Sequence, residues 1–394
     1  MEIPVSSSPP ETPPPTSLAE LARLFLRLGC TAFGGPAAHL TLMQKEAVEK
    51  RRWMNQERFL DLVGACNLLP GPGSTQVAMA LGFTRRRWPG LLISGVCFIL
   101  PASLSTLALA WAYARFGGLH LAQGLLYAAK PVMLAILAQA IWVLGRSAWR
   151  ALPLAALGIV CGALAALGVH PLLVLLGAGG LSLSHRANAG PHSPTRKFAA
   201  VLSFPRITLA SAGAVAGGIG LLPILGVFLK LGVTVFGSGY VLLAFLQADL
   251  VNRLHWVTSQ QLLDAVTAGQ LTPGPVFATA TFLGFLLRGW SGAAVATLAI
   301  FLPSFLMAGL AAAWVEHIRR SKLASGFLDG VNAAAVGLMA AVSIPLGRAS
   351  LVDTFTWGIA IICALLLIRF RVNPTWLIVG AAAMSLVLHS IPGF

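Results

Sequence analysis

Long apolar runs separated by short polar stretches dominate this chain. A helix needs about 20 mostly apolar residues to cross a bilayer. Such runs fall near 20–44, 58–84, 89–114, 121–145, 151–169 and 171–184. A polar, basic stretch, HRANAGPHSPTRK over 185–197, interrupts them, and they resume near 206–222, 224–247, 260–286, 291–314, 326–346, 352–368 and 374–392. The order is six, one and six, or 12–13 segments according to whether 206–222 crosses. No segment sustains strand-like alternation, so the pattern predicts an all-α integral membrane protein and not a β-barrel. The loops leave no room for a soluble domain. Residues 1–17 (MEIPVSSSPPETPPPTS) lack the basic start of a signal peptide and read as a disordered or polyproline tail.

The apolar pattern repeats. At a shift of 203 residues, Phe25-Leu26-Arg27-Leu28-Gly29 falls on Phe228-Leu229-Lys230-Leu231-Gly232, Trp53 on Trp256, Asp61 on Asp264 and Pro70-Gly71-Pro72 on Pro273-Gly274-Pro275. At a shift of 202, Leu81-Gly82-Phe83 falls on Leu283-Gly284-Phe285, Trp88 on Trp290 and Pro101 on Pro303. Gly, Pro and Trp held in register over about 120 residues mark a fused duplication, an architecture common among secondary transporters. The predicted organisation is a tail over 1–17, a first transmembrane repeat over 18–184, a basic linker with an extra span over 185–223, and a second repeat over 224–394.

Charge gives the repeats their orientation. Lys and Arg accumulate in cytoplasmic loops. Arg85-Arg86-Arg87 in the first half corresponds to Arg288 alone in the second, whereas Arg115 corresponds to His317, Arg319, Arg320 and Lys322. The bias changes sides, as inverted repeats require. One loop disagrees. Residues 45–58 hold five basic and three acidic residues, and simple alternation would put them opposite Arg85–Arg87. Either the Pro-Gly-Pro segment is re-entrant, or this loop is an interfacial helix that tolerates its position.

Composition changes the picture in two respects. Only 10% of residues are charged and the mean hydropathy is +0.82, which excludes soluble enzymes, nucleic-acid binders and secreted disulfide scaffolds. Lys and Arg number 27 against 12 Asp and Glu, a net charge of +15 that topology explains in the main and anion attraction would also produce. The five cysteines lie in apolar stretches without CxxC spacing, so no metal site and no cofactor is expected.

The chemistry concentrates where glycine and proline interrupt apolar runs. TAFGGPAAHLTLMQKE (31–46) and TVFGSGYVLLAFLQAD (234–249) are broken by glycine; NLLPGPGSTQ (67–76) and QLTPGPVFAT (270–279) are broken by proline. Pro-Gly-Pro cannot continue a helix, and an unwound backbone in lipid is tolerated only where it lines a cavity or is buried in protein. Helix starts after such breaks present amide groups and a positive dipole end to anions. Candidate anion ligands are therefore Gly34, Gly35, His39, Asn67, Gly71, Gly73, Ser74, Thr75 and Gln76, with Gly237 and Gly274 in the less polar second half. Ionisable groups in apolar segments are functional candidates. Arg27, Lys130 and Lys230 either face an anion or snorkel to the interface. Glu46, Asp61, Asp249 and Asp264 either carry coupling protons or cap helices and pair charges. No phosphate loop, HExxH or GxSxG motif is present, so the residues read as an anion-handling secondary transporter, with a channel or an intramembrane enzyme as rivals.

FGGPxxHxxxM (Phe33, Gly34, Gly35, Pro36, His39, Met43), followed by LPGPxxTQ (Leu69–Pro72, Thr75, Gln76) and repeated more weakly some two hundred residues later, resembles the chromate ion transporter family in its long-chain, two-domain form. The resemblance covers nearly all of 18–394. The second half departs from the motif: Ser238 and Gly239 replace Gly35 and Pro36, and Leu242 stands opposite His39. The resemblance implies export of chromate, a tetrahedral dianion close to sulfate in shape, through a bacterial inner membrane by alternating access. The partners it leads us to expect are chromate, the lipid bilayer and a second copy of the chain, with sulfate as the alternative anion and no nucleic acid.

Overall fold

The computed structural model describes residues 16–33, 35–117, 120–149, 151–188, 219–236, 239–319, 322–370, 372 and 374–389, and regular structure there is helical throughout. The tail over 1–15 and the linker over 189–218, with most of the extra span expected at 206–222, lie outside the described residues. The first half contains α1 (Leu18–Thr31), α2 (Pro36–Gln44), α3 (Gln56–Asn67), α4 (Gly73–Phe116), α5 (His120–Ala148), α6 (Leu152–Ala166) and α7 (Pro171–Asn188). The second contains α8 (Leu221–Thr234), α9 (Val241–Leu246), α10 (Ser259–Leu271), α11 (Thr279–Arg319), α12 (Lys322–Ser350), α13 (Thr354–Phe370) and α14 (Pro374–His389), matching the first helix for helix. Even the π-helical turns correspond, Lys45–Lys50 after α2 and Gln247–Arg253 after α9. So do the caps: the Asn55 side chain accepts from the Arg58 amide at the start of α3, and its counterpart Thr258 accepts from the Gln261 amide at the start of α10.

The first two apolar segments of each half do not cross; they turn back. Glu20, near the start of α1, pairs with Arg51 beyond the π-helical turn, and Arg27, farther along α1, pairs with Glu46. The helices before and after the FGGP break therefore run antiparallel. Proline and glycine end α1 and start α2, and Gly35 at φ +81° supplies the reversal. The Pro-Gly-Pro segment reverses likewise. Arg85 lies over the Trp53 ring at 5.6 Å and donates to Thr16 Oγ1 at 3.0 Å, so the start of α3 and the end of the first arm of α4 share a face with the start of α1. Loop 45–58 and Arg85–Arg87 thus lie on one side, and of the two explanations for the discordant loop the re-entrant one holds.

At Arg86 and Arg87 (φ −142° and +49°) the chain reverses again. A Cβ on Gly82 would lie 2.3 Å from the Gly90 carbonyl oxygen, and one on Gly284 would lie 2.4 Å from that of Gly292. Helices without a hydrophobic drive to associate pack closely through such small residues. The second arm of α4 then runs antiparallel to the second arm of α11: Trp88 meets Gly309 and Gly95 meets Phe305. Equivalent helices running in opposite directions make the repeats inverted. Trp88, Leu92, Val96, Leu100 and Leu104 form an exposed stripe along α4, which Trp290, Leu298, Leu302 and Leu306 repeat on α11. Stripes of this size suit lipid and not water. Among the described residues, four helical stretches are long and apolar enough to cross a membrane: Gly73–Phe116, Tyr127–Ala148, Val276–Ala313 and Gly326–Ser350.

The helices group into two bodies. α1–α4 pack with α8–α11, whereas α6 and α7 pack on α12 and, reciprocally, α13 and α14 pack on α5. This second body leans on one half of the first: α9 packs on α7 and α12, and α10 on α5, α12 and α14, while α2 and α3 have no comparable packing there. Cysteines introduced at Arg52 and Arg87, with the native cysteines replaced, are expected to react with an impermeant maleimide from one side, and one at Gly289 from the other. Labelling of all three from the same side would refute inversion.

Candidate functional site

The tips of the four hairpins meet inside the first body. The Gly71 amide donates to the Val235 carbonyl at 2.7 Å and the Gly274 amide to the Ala32 carbonyl at 3.0 Å, a crossed pair related by the repeat. Each Pro-Gly-Pro turn is thereby tied to the broken end of the opposite half's first helix. Both glycines hold positive φ, +123° and +98°. A Cβ on Gly71 would come within 2.5 Å of Gln76 Nε2 and 2.9 Å of Ser304 Oγ, so both polar groups crowd this turn. The repeat equivalent of Ser304 is Ala102, which crowds Gly274 instead.

The first-half tips are the polar ones. His39, buried on α2, accepts at Nδ1 from the Ser74 hydroxyl (3.1 Å) and donates from Nε2 to the Ala32 carbonyl (3.1 Å). That tautomer follows because a carbonyl can only accept. Leu242 and Phe277 occupy the equivalent positions and make an apolar contact zone of the second half. Gln76 donates to the Pro70 carbonyl at 2.6 Å, bracing the turn, and its own amide closes the first turn of α4 on Pro72. The amides of Gly73, Ser74 and Thr75 are thus the open ones at this helix start. Asn67, at the end of α3, sets its Oδ1 where a Gly73 Cβ would go. Thr75 Oγ1, Gln76 Oε1, Ser304 Oγ, Ser103 Oγ and Gln270 Nε2 are buried without a hydrogen-bond partner. Buried polar atoms are rarely left unpaired, and of these Gln76 and Ser304 meet at the Gly71 turn, which suits it to water or a polar guest. Gly34 and Gly237 lie outside the described residues.

The ionisable residues sit away from the tips, in pairs. Glu46 receives Arg27 (2.7 Å) and Lys50 (2.8 Å). Its counterpart Asp249, wholly buried, receives Lys230 (2.7 Å), Arg253 (3.1 Å) and His170 (3.4 Å). Lys130 pairs with Asp264 at 3.0 Å. Arg27 and Lys230 thus have carboxylate partners within their own hairpins. Asp61, on α3, is partly exposed where its equivalent Asp264 is buried.

That difference extends along both hairpins. Glu57, Gly64 and Asn67 leave one side of α3 exposed from its start to the tip, and Ala37, Thr41 and Lys45 do the same on α2. α9 and most of α10 are buried throughout. A face carrying Glu57, Asp61 and Asn67 is too polar for lipid and reads as one wall of an aqueous crevice. Sequence reasoning missed Ser304 and Tyr113, which lie in long apolar helices and meet Gly71 and Asp264 only through the fold. The single available signal was hydroxyl and amide groups recurring inside spans.

The sequence model of the chromate transporter family matches residues 19–183 and again 222–386. A chromate transport protein of Cupriavidus metallidurans is 33% identical over 392 residues, 96% of this chain and 95% of that protein. A probable chromate transport protein of Synechococcus elongatus is 32% identical over 357 residues, 89% of each chain, and a chromate transport protein of Pseudomonas aeruginosa is 32% identical over 373 residues, 89% of this chain and 87% of that one. No solved structure matches.

Proposed function

Because this chain belongs to the chromate transporter family, a family of multi-pass secondary transporters, we propose that it exports chromate from the cytoplasm across a bacterial inner membrane by alternating access and so confers chromate resistance. The observation that carries this reading is the asymmetry between the hairpins. α2 and α3 each leave one side exposed from the face of Arg85–Arg87 to the tip, which we read as a crevice, while their counterparts α9 and α10 are covered by the second body. The positive-inside bias makes the open face cytoplasmic. Exchanging the roles of the repeats, with the second body leaning on α2 and α3, closes that crevice and opens its mirror image.

The anion enters along α3 and binds at the tips. The open amides of Gly73, Ser74 and Thr75 and the hydroxyls of Thr75 and Ser304 supply donors to a tetrahedral dianion, Gln76 braces the turn through the Pro70 carbonyl, and the start of α4 adds its dipole. His39 orients Ser74. Gly35, Gly71, Gly73 and Gly274 keep the backbone free of side chains there; Gly34 and Gly237 extend that role on sequence grounds. The membrane potential, negative inside, favours outward movement of the anion. Glu46, Asp61, Asp249 and Asp264 are the carboxylates available for proton coupling.

The test is chromate uptake into inverted membrane vesicles. Thr75→Ala and Ser304→Ala are each expected to raise KM about tenfold, the loss of a hydrogen bond to a charged group, at unchanged protein level. Wild-type KM in both variants would refute the site. Sulfate transported in preference to chromate would reassign the substrate, and non-saturable flux would make the protein a channel.

A further inference from the structure

Away from the hairpin tips, a cavity of about 370 Å³ opens where the two bodies meet. Its walls come from four helices: Tyr113 and Gly117 at the end of α4, Tyr127 and Lys130 on α5, Gln260 and Asp264 on α10, and Ala349 and Ser350 at the end of α12. These helix ends lie on the face opposite Arg85–Arg87. Asp264 is the centre of the polar wall, accepting the Tyr113 hydroxyl at 3.0 Å and the Lys130 ammonium at 3.0 Å. Gln260, with its amide nitrogen on the Ala349 carbonyl at 3.0 Å, turns its oxygen to the same ammonium. Ser350 Oγ is buried in this wall with no partner. The repeat-related position beside Asp61 lacks this lysine, because Asn332 stands where Lys130 would repeat.

We propose that this cavity is a second oxyanion site, in which a tetrahedral dianion displaces Asp264 from the Lys130 ammonium as Asp264 takes up one proton from water. The anion then holds Lys130 Nζ, the Tyr113 hydroxyl and Ser350 Oγ, and the neutral acid no longer repels it. The proton makes Asp264 neutral, so Lys130 serves the anion alone, and the pocket gains a net negative charge of one where the anion without the proton would add two. The groups facing Asp264 from the packed helices are Lys130 and Tyr113. Tyr127 instead donates to Asp353. That hydroxyl, with the Thr356 amide, holds the Asp353 carboxyl below the usual carboxylate range, so Asp353 stays ionised and does not compete for the proton. Because the pair joins α5 to α10, the anion also loosens the contact between the two bodies. The proposal rests on the reading of the protein as an oxyanion transporter.

The experiment is calorimetric titration of the full chain in nanodiscs with sulfate and with chromate, in two buffers of different ionisation enthalpy at pH 7. Two anions per chain and net uptake of one proton are expected. Asp264→Asn should keep both anions and abolish the proton uptake. Lys130→Met and Ser350→Ala should each weaken one of the two sites at least tenfold while leaving the other. Proton uptake unchanged in Asp264→Asn, or two unaltered sites in Lys130→Met, would overturn the proposal. Oxyanion flux with one bound anion per chain would also sink it, yet leave the transport reading intact. Absence of both binding and flux in the wild type would sink both.

Discussion

Gly71→Ala is expected to reduce chromate transport to background in a protein that still inserts and folds. The reasons are local and additive. At φ +123° only glycine is relaxed, and an alanine there costs about 1–3 kcal/mol. Its Cβ would lie 2.5 Å from Gln76 Nε2 and 2.9 Å from Ser304 Oγ, so both groups must leave the places they hold around the turn. Moving Gln76 releases its bond to the Pro70 carbonyl, and shifting the turn lengthens the amide bond to Val235. A displacement of about 1 Å at a binding constellation suffices for a hundredfold loss. Gly289→Asn is the matched control. Gly289 also has positive φ, +59°, but a Cβ there meets nothing within 4 Å, and its repeat equivalent is already Arg87 at φ +49°. Transport in that variant should stay near wild type. Wild-type flux in Gly71→Ala, measured in the same vesicles, would remove the turn from the site.

The second large effect concerns stability. Asp249→Asn is expected to destabilise the fold by about 3 kcal/mol, near the lower end for removing one partner of a buried ion pair. Glu46→Gln, at the equivalent position, should cost about 1 kcal/mol or less, the range of exposed pairs. The side chain of Asp249 is 0% exposed and that of Glu46 9%, but the decisive difference is in their cations: Lys230 is 24% exposed and Arg27 53%. Asp249 also holds His170, which comes from the connection between α6 and α7, so its loss frees a contact between the two bodies. Thermal midpoints of the two variants in the same lipid would settle the order. Equal shifts, or a larger one for Glu46→Gln, would show that burial of the second-half pair contributes nothing.

How much of this was legible in the sequence depends on the range of the interaction. The breaks at FGGP and Pro-Gly-Pro were visible because proline and glycine act on their own backbone. The repeat was visible because Trp53 and Trp256, or Gly71 and Gly274, need only be counted. Inversion followed from charge, since Arg85–Arg87 and the stretch from His317 to Lys322 answer to the side of the membrane. The reversal at Arg86 and Arg87 was visible as the basic stretch between the runs at 58–84 and 89–114, although the positive φ it needs at Arg87 was not. The pairing of Arg27 with Glu46 depends on α1 and α2 folding back, which apolar run lengths do not reveal. Ser304 beside Gly71 is a contact across the two repeats, and no local pattern carries it. The exchange of α6 and α7 for α13 and α14 between the halves is of the same kind.

The crossed amide bonds also bear on the order in which the protein is made. The acceptor for the Gly71 amide is the carbonyl of Val235, and that residue leaves the ribosome on the order of ten seconds after Gly71 at ordinary rates of synthesis. Until then the first Pro-Gly-Pro turn has an open amide where lipid offers no partner, at a cost of several kcal/mol. The first repeat is therefore expected to complete this turn only once α8 arrives. Assembly of the two halves is then expected to be a late event, and the Pro-Gly-Pro element proposed to bind the anion among the last parts of the chain to reach its final shape.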